Sequence, residues 1–334
     1  MNKFFFPTVK YPIPFLLLLI LGFQSPALAQ IGNNEVFGFL QIPADARSAA
    51  LGGNHVSLDQ GGVSLFTTNP AYLTEVSHKE LSVSYLNHFS DIYLASAGFA
   101  YHLGNIGTFA SGIRFVNYGD FTRTDSDGRE HGSFSSYDFS WSGAISRPLL
   151  DRLQAGFGTQ LIVSSYDSYQ STAIAFFGGL YYSFNSNYTH AALSFRHLGA
   201  QLTPFDDTRE DLPFTITAGI THRLQHLPLR FNLALHSLNR WEMPVFDDED
   251  DPGFTSNLFR HMRMGVELLF SENVNLRIGY DHLRNQELKS DQRIDLSGAG
   301  IGLGIGYRDF RFDISRSSYS ETGGLIQLSL SHHF

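Results

Sequence analysis

The chain has 334 residues, 47 of them aromatic but only 4 Lys, and a formal net charge of −9. The absence of Cys excludes disulfide scaffolds, thiolate metal sites and Cys nucleophiles. The acidic balance, with no long Lys/Arg block, argues against nucleic acid as a partner. At 43% hydrophobic and only 16% charged, the chain is too apolar for a disordered protein.

The first 29 residues read as a secretory signal. Lys3 and Lys10 supply the positive region, 15–22 the apolar core, and Ala27-Leu28-Ala29 the small residues before cleavage. Pro12, Pro14 and Pro26 bracket a run too short for a spanning helix, which needs ~20 apolar residues. Export by the Sec route is expected, giving a mature chain from Gln30 with a charge of −11.

Residues 30–79 are too irregular for strands. Ala44 to Leu51 has the composition of a short helix, stopped by Gly52, and Asn69-Pro70 opens a turn. Read alone, this stretch is an ordered cap over one end of whatever follows.

From 80 onward a period of two dominates. Apolar side chains alternate through 81–85, 93–101, 109–115, 137–145, 153–163, 174–184, 191–195, 214–220, 229–235, 262–270, 274–280, 299–307, 310–314 and 326–334. These are fourteen segments of about the ~9–11 residues that a tilted membrane strand needs. A secreted sandwich or propeller would show a similar alternation, but no fixed-period repeat supports a propeller. Aromatic residues such as Tyr93, Tyr101, Tyr182, Tyr280 and Tyr307 sit at segment ends, as interfacial girdles do. Short and long connections alternate, the first long-side connection near 88–91 excepted. The sequence closes on a strand with Leu328, Leu330 and Phe334 on one face, a terminal pattern expected to serve as an insertion signal. The reading is all-β: a 14-stranded antiparallel transmembrane β-barrel in the outer membrane, with 30–79 as hatch or plug and 80–334 as barrel. Arg114, Asp138, Arg196, Arg263, Glu267, Arg277 and Asp313 fall on the inward face, where they are expected to pair with one another or with the plug.

Two stretches of the hatch carry a resemblance. Leu40 to Gly53 matches Leu-x-x-Pro-x-x-Ala-Arg-x-x-Ala-Leu-Gly-Gly through Pro43, Ala46, Arg47, Ala50, Leu51, Gly52 and Gly53. Asn69, Pro70, Ala71 and Leu73 match Asn-Pro-Ala-x-Leu. In these positions the chain resembles the PorV/PorQ family of the type IX secretion system of Bacteroidota, itself similar to FadL-type barrels. The mature length is closer to the PorQ branch. The resemblance implies a protein-transport role: a surface anchor for a PorZ-like protein in an attachment complex with the sortase PorU and PorV. The alternative is a FadL-like importer of hydrophobic small molecules, which needs an apolar pocket inside the barrel. The inward face, largely Ser, Gly, Asn and charged, favours the anchor.

No enzyme motif stands out. His-Glu-x-x-His, Gly-x-Ser-x-Gly and a phosphate-binding Gly loop are all missing, and no cofactor is expected. Asp247-Asp248-Glu249-Asp250-Asp251 lacks EF-hand spacing, and a solvated acidic loop is the preferred reading over a calcium site. The long connections, 119–132, 200–213, 239–257 and 283–296, carry charges of −2, −3, −5 and 0. Asp206, Asp207 and 247–251 are therefore candidates to steer a basic partner. Trp241, Met243, Val245 and Phe246 are candidates for its apolar contact.

Overall fold

The computed structural model describes residues 35–87, 92–125, 127–184, 188–243, 253–288, 296–318 and 324–334. The predicted signal segment and Val245 to Asp251 lie outside these residues.

Fourteen antiparallel strands form a closed barrel in which each pairs with its sequence neighbours. They are β1 (Glu80–Asn87), β2 (Tyr93–Leu103), β3 (Gly107–Thr124), β4 (Glu130–Leu150), β5 (Leu153–Tyr166), β6 (Tyr169–Ser183) and β7 (Thr189–Thr203). Then follow β8 (Thr215–Arg223), β9 (Leu229–Leu235), β10 (Met262–Leu269), β11 (Val274–Asp281), β12 (Ala299–Tyr307), β13 (Phe310–Ser318) and β14 (Gly324–His333). β1 closes on β14 in unbroken register from Glu80↔His333 to Asn87↔Ile326. Closure leaves no edge, which matters because hydrocarbon offers unpaired N–H and C=O groups no partner. The predicted apolar positions point outward: Ile113, Leu161, Leu193, Ile220, Ile278, Ile301 and Leu328 are all exposed. Inward positions are dominated by Ser, Gln, Asn and charge, so the barrel is inside-out relative to a soluble protein.

One connection differs from its expectation. Residues 119–132 do not form a long loop, because β3 runs to Thr124 and β4 starts at Glu130. These strands have 18 and 21 residues, well beyond what a bilayer requires. Cross-strand pairing extends the hairpin: Phe121 stacks on Phe134 at 5.3 Å between ring centres, and Arg123 lies over Phe134 and bonds Asp167. Two of the remaining long connections contain short helices, α2 (Phe254–Arg260) and α3 (His282–Leu288).

Residues 35–79 fill the lumen and form one compact unit with the barrel. Their regular elements are a five-residue helix, α1 (Ala46–Ala50), and four single 3₁₀ turns. At the long-connection end Val36 N donates to Asp211 O, and Arg240 pairs with Glu35 at 2.7 Å. At the short-turn end Phe334 N donates to Lys79 O. The hatch thus threads the barrel from one rim to the other.

Candidate functional site: the hatch and its seat in the lumen

The first matched stretch forms α1 and its turn. Asp45 caps the helix, Oδ1 accepting from Ser48 N at 2.8 Å and Oδ2 from Ser64 Oγ at 2.7 Å. Ala46 N donates to Ser329 Oγ, and Ser317 Oγ donates to Ala49 O, which ties both ends of the helix to β13 and β14. The barrel makes room by having no side chains there. A Cβ at Gly300 would lie 2.5 Å from Ala49 O, and one at Gly279 would lie 1.9 Å from the carbonyl carbon of Leu51. Gly52, at φ +89, ends the helix against the backbone of Tyr280 in a conformation that L side chains avoid. Gly279→Ala is therefore expected to unseat the hatch, because the atoms a methyl would meet are backbone and cannot rotate away. The cost should be at least the ~1–3 kcal/mol of ordinary overpacking. Faster amide exchange across 46–53, with barrel gel mobility unchanged, would register it.

Arg47 carries the electrostatic link. It leaves α1 and donates Nη2 to Glu267 Oε1 at 2.9 Å and Nε to Oε2 at 3.2 Å, a two-point pairing. Its Nη1 donates to the carbonyls of Asp59 and Gln60, 2.9 and 3.1 Å away. Glu267, on β10, also accepts from Arg230 at 3.2 Å and Arg277 at 3.1 Å. Arg277 reaches Asp313 at 2.5 Å, Arg311 reaches it at 3.1 Å, and Arg230 reaches Asp59 at 2.9 Å. Of the seven inward charges read from sequence, Glu267, Arg277 and Asp313 join this network, and Arg263 pairs with Asp281 at 2.8 Å. Asp138 instead accepts from the hydroxyls of Tyr118 and Tyr166 at 2.5 and 2.7 Å.

The second matched stretch is a bracket. Asn69 Nδ2 donates to Val56 O at 2.9 Å while Oδ1 accepts from Ala71 N at 3.0 Å. Gly156 and Gly179 bring β5 and β6 against Pro70 and Asn69 with no room for a Cβ. Ala71 and Leu73 are fully buried, and Tyr72 OH donates to His55 O while accepting from Leu58 N. His55 lies beneath, its Nε2 2.9 Å from Leu51 O. Burial lowers its imidazole to about 4, opposed by that hydrogen bond. An unfolded imidazole, near 6.5, takes a proton first, so hatch stability should fall as pH drops from about 6.5 to about 4 and stay level above. Amide exchange of the hatch measured across that window checks the sign.

The lumen is not polar throughout, contrary to the sequence reading. At the long-connection end Leu86, Leu94, Val116, Ile162 and Leu325 point inward and form an apolar band. The chain fills it with its own Val36, Phe37, Phe39 and Leu40, all buried. A signal for this band exists in the doublets Tyr85-Leu86, Tyr93-Leu94, Phe115-Val116 and Leu161-Ile162, which make both strand faces apolar at the outer end. Alternation counting hides it, since each doublet supplies its expected lipid-facing member.

The surface candidates are only partly described. Asp206 and Asp207 are exposed, as is Trp241, whose ring stacks on Phe254 and His261. Met243 is buried with its N–H toward Asn257 Oδ1, so it cannot offer a contact surface as expected. Leu328, Leu330 and Phe334 lie on the outward face of the barrel at β14 and its end.

Comparison with solved structures identifies the architecture. The toluene transporter TbuX of Ralstonia pickettii superposes with TM-score 0.54 at 12% identity, covering 89% of this chain and all of that one. The toluene transporter TodX of P. putida gives 0.54 at 14% identity, covering 88% and 99%. A FadL homologue of Pseudomonas aeruginosa gives 0.49 at 12%, covering 88% and 98%. No family model matches the chain, and no curated protein does. This is a fourteen-strand outer-membrane barrel with the fold of TbuX and TodX. At these identities the likeness concerns the fold alone.

Proposed function

We propose that the chain is a plugged outer-membrane barrel acting as a surface anchor in a secretion assembly of the PorV/PorQ kind. Its partner would be a PorZ-like surface protein, with PorU and PorV as further members of the complex. The observation that carries this reading is the seating of Arg47. The residue that marks the family-like stretch is the one that fastens the plug to Glu267, the meeting point of three arginines. A lumen closed in this way suits a scaffold better than a conduit. The cavity beside Arg196 measures about 40 Å³, against the ~150 Å³ of a cavity that admits benzene.

The second reading is uptake of hydrophobic small molecules. Two observations favour it: the solved relatives in fold include toluene transporters, and the outer lumen carries an apolar band. In that reading Phe37, Phe39 and Leu40 would have to leave the band for a ligand to enter. On the comparisons alone this reading leads; the filled lumen favours the anchor.

Isolation of the native complex in mild detergent, paired with a deletion strain, separates the two. The anchor requires a stoichiometric surface protein and loss of surface attachment of secreted proteins on deletion. Uptake requires passage of monoaromatic hydrocarbons through the barrel in vesicles, with surface attachment intact in the deletion strain. That second pattern would overturn the anchor.

A further inference from the structure

The lumen matches most of its cations with carboxylates, but among the described residues Arg114 and Arg196 take no part in those ion pairs. Arg114, on β3, donates to the backbone carbonyls of Phe39 and Ile42 at 3.2 and 3.1 Å. Arg196, on β7, is 6% exposed and its Nε has no partner. Among the described residues no carboxylate pairs with either, and both line one cavity. Like charges gathered in a buried space without a counter-charge are unfavourable, so the arrangement asks for an anion.

The backbone aims these groups on purpose. Between Phe176↔Leu198 and Gly178↔Phe195 the register of β6 and β7 slips, with one extra residue on β7. His197 sits in that bulge at φ 58. In an unbroken strand Arg196 and His197 would face opposite sides; here both are buried in the barrel wall's inner face. A left-handed conformation at a non-glycine residue is unfavourable in itself and persists where the surroundings impose it.

Arg114, Arg196 and His197 line a cavity with Ser140, Ser142 and Gln160. Its volume of about 40 Å³ is room for roughly three water-sized groups, since one needs ~10–15 Å³. A compact anion fits such a space and an alkyl chain does not. We propose that this cavity binds a small oxyanion of the phosphate, sulfate or short carboxylate class, held by the guanidinium groups of Arg114 and Arg196. Guanidinium forks match two oxygens of such an anion, and the serine hydroxyls and glutamine amide supply further donors. An ion there would also bridge the wall to the hatch, because Arg114 already holds the carbonyls of Phe39 and Ile42. The site is independent of whether the barrel anchors or imports.

The test uses the full-length protein in detergent, prepared free of phosphate and sulfate. Crystals soaked in selenate should show an anomalous peak within hydrogen-bond reach of Arg196. Thermal unfolding, followed by heat-modifiable gel mobility, should shift up by several degrees in sulfate relative to chloride at equal ionic strength. Arg196→Gln removes an unmatched charge and should fold without anion, while losing the sulfate shift. An equal shift in the wild type and Arg196→Gln would mean a general salt effect and overturn the proposal. So would selenate density absent from the cavity.

Discussion

Replacing Glu267 by Gln is expected to loosen the hatch while leaving the barrel closed. Glu267 serves three arginines, but two have alternatives: Arg277 keeps Asp313 and Arg230 keeps Asp59. Among the described residues Arg47 has no other carboxylate within bonding distance, and it falls back on the carbonyls of Asp59 and Gln60. Removing one member of a buried ion pair costs about 3–5 kcal/mol, mostly because the other charge stays buried without compensation. Here that cost falls on the hatch side of the contact, since Arg47 is the member that would leave. Amide exchange at 46–53 should rise by orders of magnitude, and trypsin should gain access after Arg47. Arg311→Gln is the control: its head is a third exposed, and pairs that wet contribute at most about 1 kcal/mol. The double variant Arg47→Met with Glu267→Gln should recover part of the loss, because the unmatched charge is gone. If Glu267→Gln leaves exchange of the hatch unchanged, packing of Leu51 against Gly279 holds it and the ion network does not.

The barrel was legible because a membrane strand writes its two faces at alternate positions. Ile278 and Arg277 are neighbours with opposite surroundings, lipid and ion network, and that contrast survives in a bare sequence. The hatch contacts were legible in part. A helix stopped at Gly52-Gly53 follows from local chemistry, and the structure forms it at Ala46–Ala50. That Arg47 finds Glu267, 220 residues away, does not follow, because no local rule pairs positions across a lumen. Gly279, Gly300 and Gly302 make room for the helix on the inner wall, yet nothing in the strands says what packs there. The hairpin at 119–132 departs from its sequence pattern for a related reason. Asp, Gly and Thr mark a turn by composition, while Phe121 and Phe134 extend the ladder by a contact visible only once the strands pair. The bulge at His197 was hidden too, since one inserted residue in β7 shifts the phase without changing composition.

The same neighbouring pair, Arg277 and Ile278, gives the sharpest test of which face meets lipid. Arg277 is fully buried and bonds Glu267 and Asp313, so arginine at this position is paired with carboxylates inside the barrel. Ile278, in the middle of β11, pairs with Val266 on β10 and Ile301 on β12 and is 56% exposed on the outer face. Ile278→Arg places the identical side chain one position along, where hydrocarbon replaces the carboxylates. Near the bilayer midplane the cost should be roughly 2–4 kcal/mol, falling to ~0–1 at the interfaces as the side chain snorkels to water. Leu330→Arg, near the end of β14, should accordingly cost less than Ile278→Arg. Urea unfolding from phospholipid vesicles, with heat-modifiable mobility as the readout, orders the three proteins. Arg277→Ile should be destabilising as well, because it strips a cation from Glu267 and Asp313 together. A soluble sandwich would give a different ranking, since an exposed Ile→Arg change in water moves stability by no more than about 0.5 kcal/mol. Equal stability of the wild type and Ile278→Arg in vesicles would therefore remove the membrane from the outer face and, with it, the barrel's place in the outer membrane.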